Sequence, residues 1–133
     1  VIAQNDNMVA INNALAIDMT GQITAESIGP KLMSVAGGQI PFAFGALLSK
    51  GGRSITVLPS TAQDGKVSRI MPALPTGTAI TLQRNIADLI VTEYGIANMR
   101  HKTLRQRCEE LIKVAHPNFR DELRAEARKL YWP

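Results

Sequence analysis

Two different spacings of apolar residues divide this chain. From Val1 to about Gly95, apolar and β-branched residues come in short runs separated by turn residues, as in a body of short strands. Met8-Val9-Ala10-Ile11 leads through Asn12 and Asn13 to Ala14-Leu15-Ala16-Ile17. Asp18-Met19-Thr20-Gly21 then supplies turn chemistry, and Gln22-Ile23-Thr24-Ala25 reads as the returning strand of a hairpin. Further strands are predicted at Ser54–Leu58, Val67–Met71, Thr78–Leu82 and Asp88–Thr92, runs in which Val, Ile and Thr dominate. Only Phe42 to Leu48, after Gly37-Gly38, looks helical in this half.

From about Thr103 the spacing becomes helical. Leu104, Cys108, Leu111, Ile112 and Ala115 fall on one helix face, and Thr103 with Gln106 makes a capping box. His116-Pro117 ends that helix, because the residue before a proline is pushed out of the α region. Asn118 is the expected cap of a second helix carrying Phe119, Leu123, Ala127 and Leu130 on its apolar stripe. Strands followed by amphipathic helices predict an α/β domain: a layered sheet with flanking helices on one face, with residues 1–133 as a single domain.

Composition narrows the class. The chain has 133 residues, 45% of them hydrophobic, and a net charge of +4. That excludes low-complexity disorder and collagen. The single cysteine, Cys108, cannot form an internal bridge, so no oxidising compartment is implied and a cytoplasmic setting is expected. No apolar run approaches the roughly 20 residues that span a bilayer, so no membrane partner is expected. Between Arg100 and Lys129 the basic residues alternate with Glu109, Glu110, Asp121, Glu122 and Glu126. Interleaved signs describe a solvated helix face, and nucleic acid is not an expected partner. Beginning at Val1 rather than Met, the chain is expected to be a piece of something longer.

Few residues carry obvious chemistry. His101 and His116 make no standard metal spacing with Cys108, so no metal is expected. Cys108 falls in an apolar stripe, where a small buried hydrophobe is the default. His116 sits at a helix end, a capping position. Gly37 and Gly38 either form a plain turn or bring backbone N–H groups together for an anion, and Gly51-Gly52, between Lys50 and Arg53, leaves the same choice open. Glu93 follows an apolar strand and precedes Tyr94-Gly95. That is where α/β proteins place site residues, though also where an ordinary exposed glutamate would sit.

In order, these pieces have a family resemblance. The run Ile11 to Gln22 resembles the N-x-A-L-x-x-D-x-x-G-Q segment of the acetyl-CoA hydrolase/transferase family. Ala25–Gly29, Gly37–Gln39, Ser49–Ser54, Leu58–Ala62, Val91–Ala97 and Ala115–Arg120 follow in family order. The resemblance implies the C-terminal domain of a class I CoA-transferase, with the NagB/RpiA-like fold. It further implies transfer of coenzyme A, as substrate, between short-chain carboxylic acids of the 4-hydroxybutyrate, butyrate and acetate type, through a glutamyl-CoA intermediate. The alternatives are an acyl-CoA hydrolase and a non-catalytic acyl-CoA-binding domain.

The family's nucleophilic glutamate lies upstream, in a G-x-H-x-E motif that this chain lacks. An N-terminal domain of the same protein is therefore an implied partner, as is a homodimer, and the chain alone is expected to be inactive. Among the residues present, the resemblance makes Glu93 a supporting catalytic carboxylate. It places Asn12, Lys31 and Lys50 near coenzyme A, and Val35, Gly37 and Gly38 at the oxyanion hole and acyl pocket. Val35 stands where the family has glycine, and Pro41 where it has aspartate.

Overall fold

The β-branched run after Gly51-Gly52 becomes one of two inner strands of a mixed sheet. The structure is a computed structural model and describes residues 1–132. Its first half contains β1 (Val9–Asn13), β2 (Ala16–Asp18), β3 (Ile23–Thr24), β4 (Ser27–Ile28), β5 (Lys31–Leu32) and α1 (Gln39–Leu48). Then come β6 (Arg53–Val57), β7 (Thr61–Ala62), β8 (Val67–Ser68), β9 (Ile70–Met71), β10 (Leu89–Thr92) and β11 (Gly95–Asn98). The C-terminal part is α2 (Leu104–Val114), a 3₁₀ turn over Pro117–Phe119 and α3 (Arg120–Tyr131).

The main sheet runs β1-β6-β10-β11. β1, β6 and β10 are parallel, and β11 returns antiparallel to β10. Along these strands burial alternates. Ala10, Ser54, Thr56, Ile90, Thr92 and Ala97 are buried, whereas Val9, Ile11 and Ile96 are exposed. Both α1 and α2 lie on the buried side. A Cβ on Gly52 would meet the Ala46 carbonyl of α1 at 2.1 Å, and the Thr92 hydroxyl donates to the Val114 carbonyl of α2 at 2.6 Å. A smaller sheet, β3-β2-β9, shares one core with these helices, and Ile17, Ile23, Ile70, Ile90 and Leu111 are all buried in it.

The fold bears out the expected layered α/β arrangement, the Thr20-Gly21 hairpin loop and the capping box. The Thr103 hydroxyl accepts from Gln106 N–H at 3.3 Å, and the Gln106 side chain accepts from Thr103 N–H at 2.9 Å. Four local expectations are corrected. Thr78–Leu82 forms no strand; Thr78 and Thr81 instead use their hydroxyls to accept from the N–H groups of Gly29 and Ala25. Val67–Met71 is divided between β8 and β9, because Arg69 turns its N–H to Ser60 while its carbonyl accepts from Ile17. Asn118 does not cap α3. It lies inside the 3₁₀ turn, and its N–H donates to His116 Nδ1 at 3.2 Å. The first helix starts at Gln39, not Phe42, and Pro41 fits its first turn because the N–H missing there has no intrahelical acceptor.

One turn ties the sheets to α2. Asp18 is 2% exposed, and its Oδ1 accepts from the N–H groups of Thr20, Gly21 and Gln22 and from the Thr20 hydroxyl. Gln22 Nε2 donates to Oδ2 at 2.7 Å. Gly21 has φ +101°, a conformation that favours glycine, and a Cβ there would lie 2.7 Å from Arg107 Nη1 and push that side chain aside. Replacing Asp18 by Ala strands these donors and is expected to cost about 3 kcal/mol, with Asp18→Asn costing roughly 1 kcal/mol because it still offers one acceptor oxygen. Urea unfolding midpoints of the two variants check the order. Midpoints of both variants equal to wild type would show that the turn does not depend on these hydrogen bonds.

Candidate active site

The three parallel strands end together, and their carboxyl ends open into a cleft of about 920 Å³. Its lining includes Asn13 from β1, Val57 from β6, Val91 and Thr92 from β10, and then Pro59, Arg69 and Glu93. Open parallel sheets bind ligands at this end, because the loops leaving adjacent strands diverge there. Glu93 is exposed at the mouth and fixed in orientation. Ser60 donates to it twice, from its N–H to Oε2 at 2.9 Å and from its hydroxyl to Oε1 at 2.6 Å. The Ser60 hydroxyl is the main cause holding the Glu93 carboxyl below its ordinary range, and the neighbouring His116 lowers it further.

Aromatic and basic groups stand beside this carboxylate. The Tyr94 ring meets His116 edge-on, with centroids 5.5 Å apart, and the Arg120 guanidinium lies over Tyr94 at 5.5 Å. Arg69 is held rigidly in the cleft wall, donating Nε to the Thr61 carbonyl and Nη1 to the Leu15 carbonyl at 2.8 Å. Ser60 and Arg69 escaped the sequence reading as site residues. The Leu58–Ala62 motif contained the serine, but only the fold shows that it meets a carboxylate 33 residues later.

The other candidates are dispersed. Asn12 pairs with Thr56, half-buried on the helix-covered face, while its neighbour Asn13 lines the cleft. Lys31 lies exposed in the β4–β5 hairpin. Lys50 is exposed just before β6 begins, at the opposite end of that strand from Ser60; the five strand residues between them span roughly 15 Å. Val35, 80% exposed, belongs to the exposed segment with Gly37 and Gly38 that leads into α1. Gln39, next in line, is buried, and its Nε2 has no acceptor among the described residues. Cys108 is inert in this setting: burial pushes its thiol pKa up to about 11.

Comparison with known proteins places this geometry in context. A sequence model of the acetyl-CoA hydrolase/transferase C-terminal domain matches residues 1–127. The chain is 53% identical over 131 residues to a 4-hydroxybutyrate coenzyme A transferase of Clostridium kluyveri, covering 98% of this chain and 30% of that protein. It is 50% identical to a butyryl-CoA:acetate CoA-transferase of Anaerostipes caccae, over 96% and 29% of the two chains. Among solved structures it is similar to RipA of Yersinia pestis, with a TM-score of 0.87 and 43% identity, over 99% of this chain and 28% of that one. The chain thus spans about 30% of the length of the curated relatives it matches. No described helix is long and apolar enough to cross a membrane.

The Ser60–Glu93 contact makes a titration prediction. A hydroxyl donating to the charged carboxylate favours that form, so Ser60→Ala should raise the Glu93 pKa toward its ordinary value. With the folded value depressed, the contact's stabilising effect is present at neutral pH and lost as pH falls through the folded pKa. Carbon-13 NMR of the Glu93 carboxyl in wild type and variant reads the shift directly. An unchanged or lower titration midpoint in the variant would mean that the hydroxyl does not hold the charge.

Proposed function

This chain belongs to the acetyl-CoA hydrolase/transferase family as its C-terminal domain, and from that membership we propose that it forms one wall of a CoA-transferase active site. The protein moves coenzyme A between short-chain carboxylic acids of the 4-hydroxybutyrate, butyrate and acetate type. The observation that carries this reading is the Glu93 carboxylate, oriented by Ser60 at the carboxyl ends of parallel strands. The substrate class rests on the names of the two relatives.

The chemistry follows covalent catalysis by a carboxylate. A glutamate supplied from outside these residues attacks the acyl-CoA carbonyl, and the CoA thiolate leaves, giving a mixed anhydride. The thiolate then attacks the glutamyl carbonyl and expels the first acid. The resulting glutamyl-CoA thioester passes its CoA to the second acid by the same two steps reversed. Each attack makes an oxyanion that needs preorganised donors. Backbone N–H groups around Val35, Gly37 and Gly38 serve that role, with Val35 bordering the acyl group. Glu93 orients the reacting groups and is not the nucleophile. The resemblance assigns Asn12 to the acyl-CoA, although its neighbour Asn13 is the asparagine that lines the cleft, and it assigns Lys31 and Lys50 to the phosphates as point charges. An extended ligand suits this assignment, since Lys50 and Glu93 lie at opposite ends of β6. The N-terminal domain supplies the nucleophile, the working unit is a homodimer, and its setting is cytoplasmic.

In the full-length polypeptide, Glu93→Gln should lower kcat by about 10- to 1000-fold while the unfolding midpoint stays close to wild type. The assay follows transfer from butyryl-CoA to acetate, with free thiol release measured in parallel. Transfer without thiol release supports a transferase, whereas thiol release alone would identify a hydrolase. Full transfer activity in Glu93→Gln would return Glu93 to an ordinary surface carboxylate.

A further inference from the structure

A second cavity, of about 330 Å³, shares Arg69 with the Glu93 cleft. Its wall is apolar and comes from several short elements. Leu15 precedes β2, Ile28 belongs to β4, Val67 to β8 and Met71 to β9, and Met33, 60% exposed, stands at the rim. That volume is at the lower end of small-ligand sites, about 300–1,000 Å³. Methionine is unbranched and adaptable, so two of them suit a wall that meets tails of different length.

Arg69 is the only cation among the described residues that line either cavity. It is half-buried. Its Nε and Nη1 are occupied by the Thr61 and Leu15 carbonyls, and Nη2 donates to no described residue. No carboxylate among the described residues forms an ion pair with it. Glu93, on the same cleft, is held by Ser60 instead. A partly desolvated cation without a partner in its own fold favours an anion from outside. Apolar wall and free guanidinium edge together match a molecule with a hydrocarbon tail and an anionic head.

We propose that this cavity is the tail pocket for a short-chain carboxylic acid. The carboxylate meets Arg69 Nη2 on the cleft side, and the hydrocarbon tail lies among Ile28, Met33, Val67 and Met71. The head then points toward the Glu93 cleft, and the two methionines set the accepted chain length. That the bound acid is a substrate rests on the functional reading above; the binding itself does not.

The test is a titration of the full-length polypeptide carrying ¹³C-methyl methionine, alone and with coenzyme A present. Met33→Leu and Met71→Leu assign the two resonances. Butyrate should move the Met33 and Met71 methyl signals in a saturable way and leave Met8, Met19 and Met99 in place. Acetate, without the tail, and butyramide, without the charge, should each need at least ~10-fold higher concentration. Butyrate that moves neither signal under either condition, or moves all five alike, would overturn the proposal. Equal affinity for acetate would remove the tail pocket, and equal affinity for butyramide would remove the role of Arg69. Ala62→Phe, which adds bulk to the same wall, should lower the butyrate-to-acetate ratio of kcat/KM at least ~10-fold, and an unchanged ratio in the folded variant would contradict the pocket. The titration uses the unsubstituted protein, so it decides the proposal even where Ala62→Phe fails to fold. Butyrate shifts at Met33 and Met71 together with full activity in Glu93→Gln, or with thiol release in place of transfer, would leave the pocket intact and remove the functional reading alone.

Discussion

The Asp18 turn is the point on which the packing of this chain depends. A carboxyl group buried to 2% exposure is tolerable only if its oxygens are met, and here five donors from the three consecutive residues Thr20, Gly21 and Gln22 do so. Closing the turn in this way aims its carbonyls outward. The Thr20 carbonyl accepts from Arg107 Nη1 at 3.0 Å, and the Met19 carbonyl lies against Cys108 Sγ at 3.7 Å. Both contacts reach α2 across almost ninety residues of sequence. The D-x-x-G-Q pattern therefore has a structural cause. Aspartate supplies the acceptor, glycine the left-handed backbone and the clearance for Arg107, and glutamine the last donor.

With β2 and α2 fixed to each other, the helices cover one face of the main sheet and the parallel strands keep a common direction. Direction matters because it collects the strand exits at one end. Thr92 is buried under α2, yet the next residue, Glu93, emerges into the cleft, where the loop leaving β6 presents Ser60. The two residues come from neighbouring parallel strands, so their meeting follows from register rather than from local sequence.

How much of this was legible in the sequence varies with the range of the interaction. The capping box, the β2–β3 hairpin and the two C-terminal helices rest on contacts within a few residues, and composition and spacing displayed them. Thr78–Leu82 misled because threonine has two uses: its β-branch suits a strand, but its hydroxyl here satisfies loop N–H groups from distant segments. Strand β11 was missed because Gly95, at φ +135°, reads as an exit when it is the tight reversal of a hairpin. At the site, Glu93 could be singled out from its place after an apolar strand. Ser60 and Arg69 could not, since a serine after a proline and an arginine between two short strands carry no local mark of the groups they face. Asn12 and Asn13 show the sharpest limit. In a strand, one residue of register moves a side chain to the other face, and nothing local says which asparagine faces the cleft.

The proposed function asks the cleft to do more than bind a ligand. Acyl transfer through a thioester competes with hydrolysis, so a transferase must keep water from its intermediate while each acid exchanges. Asn13, Val57, Val91 and Glu93 form one wall of the cleft. The same strands that end at Glu93 carry apolar side chains on the face away from α1 and α2. On the proposed transferase reading, apolar packing beside this cleft would favour an acid over water as the acceptor by excluding water.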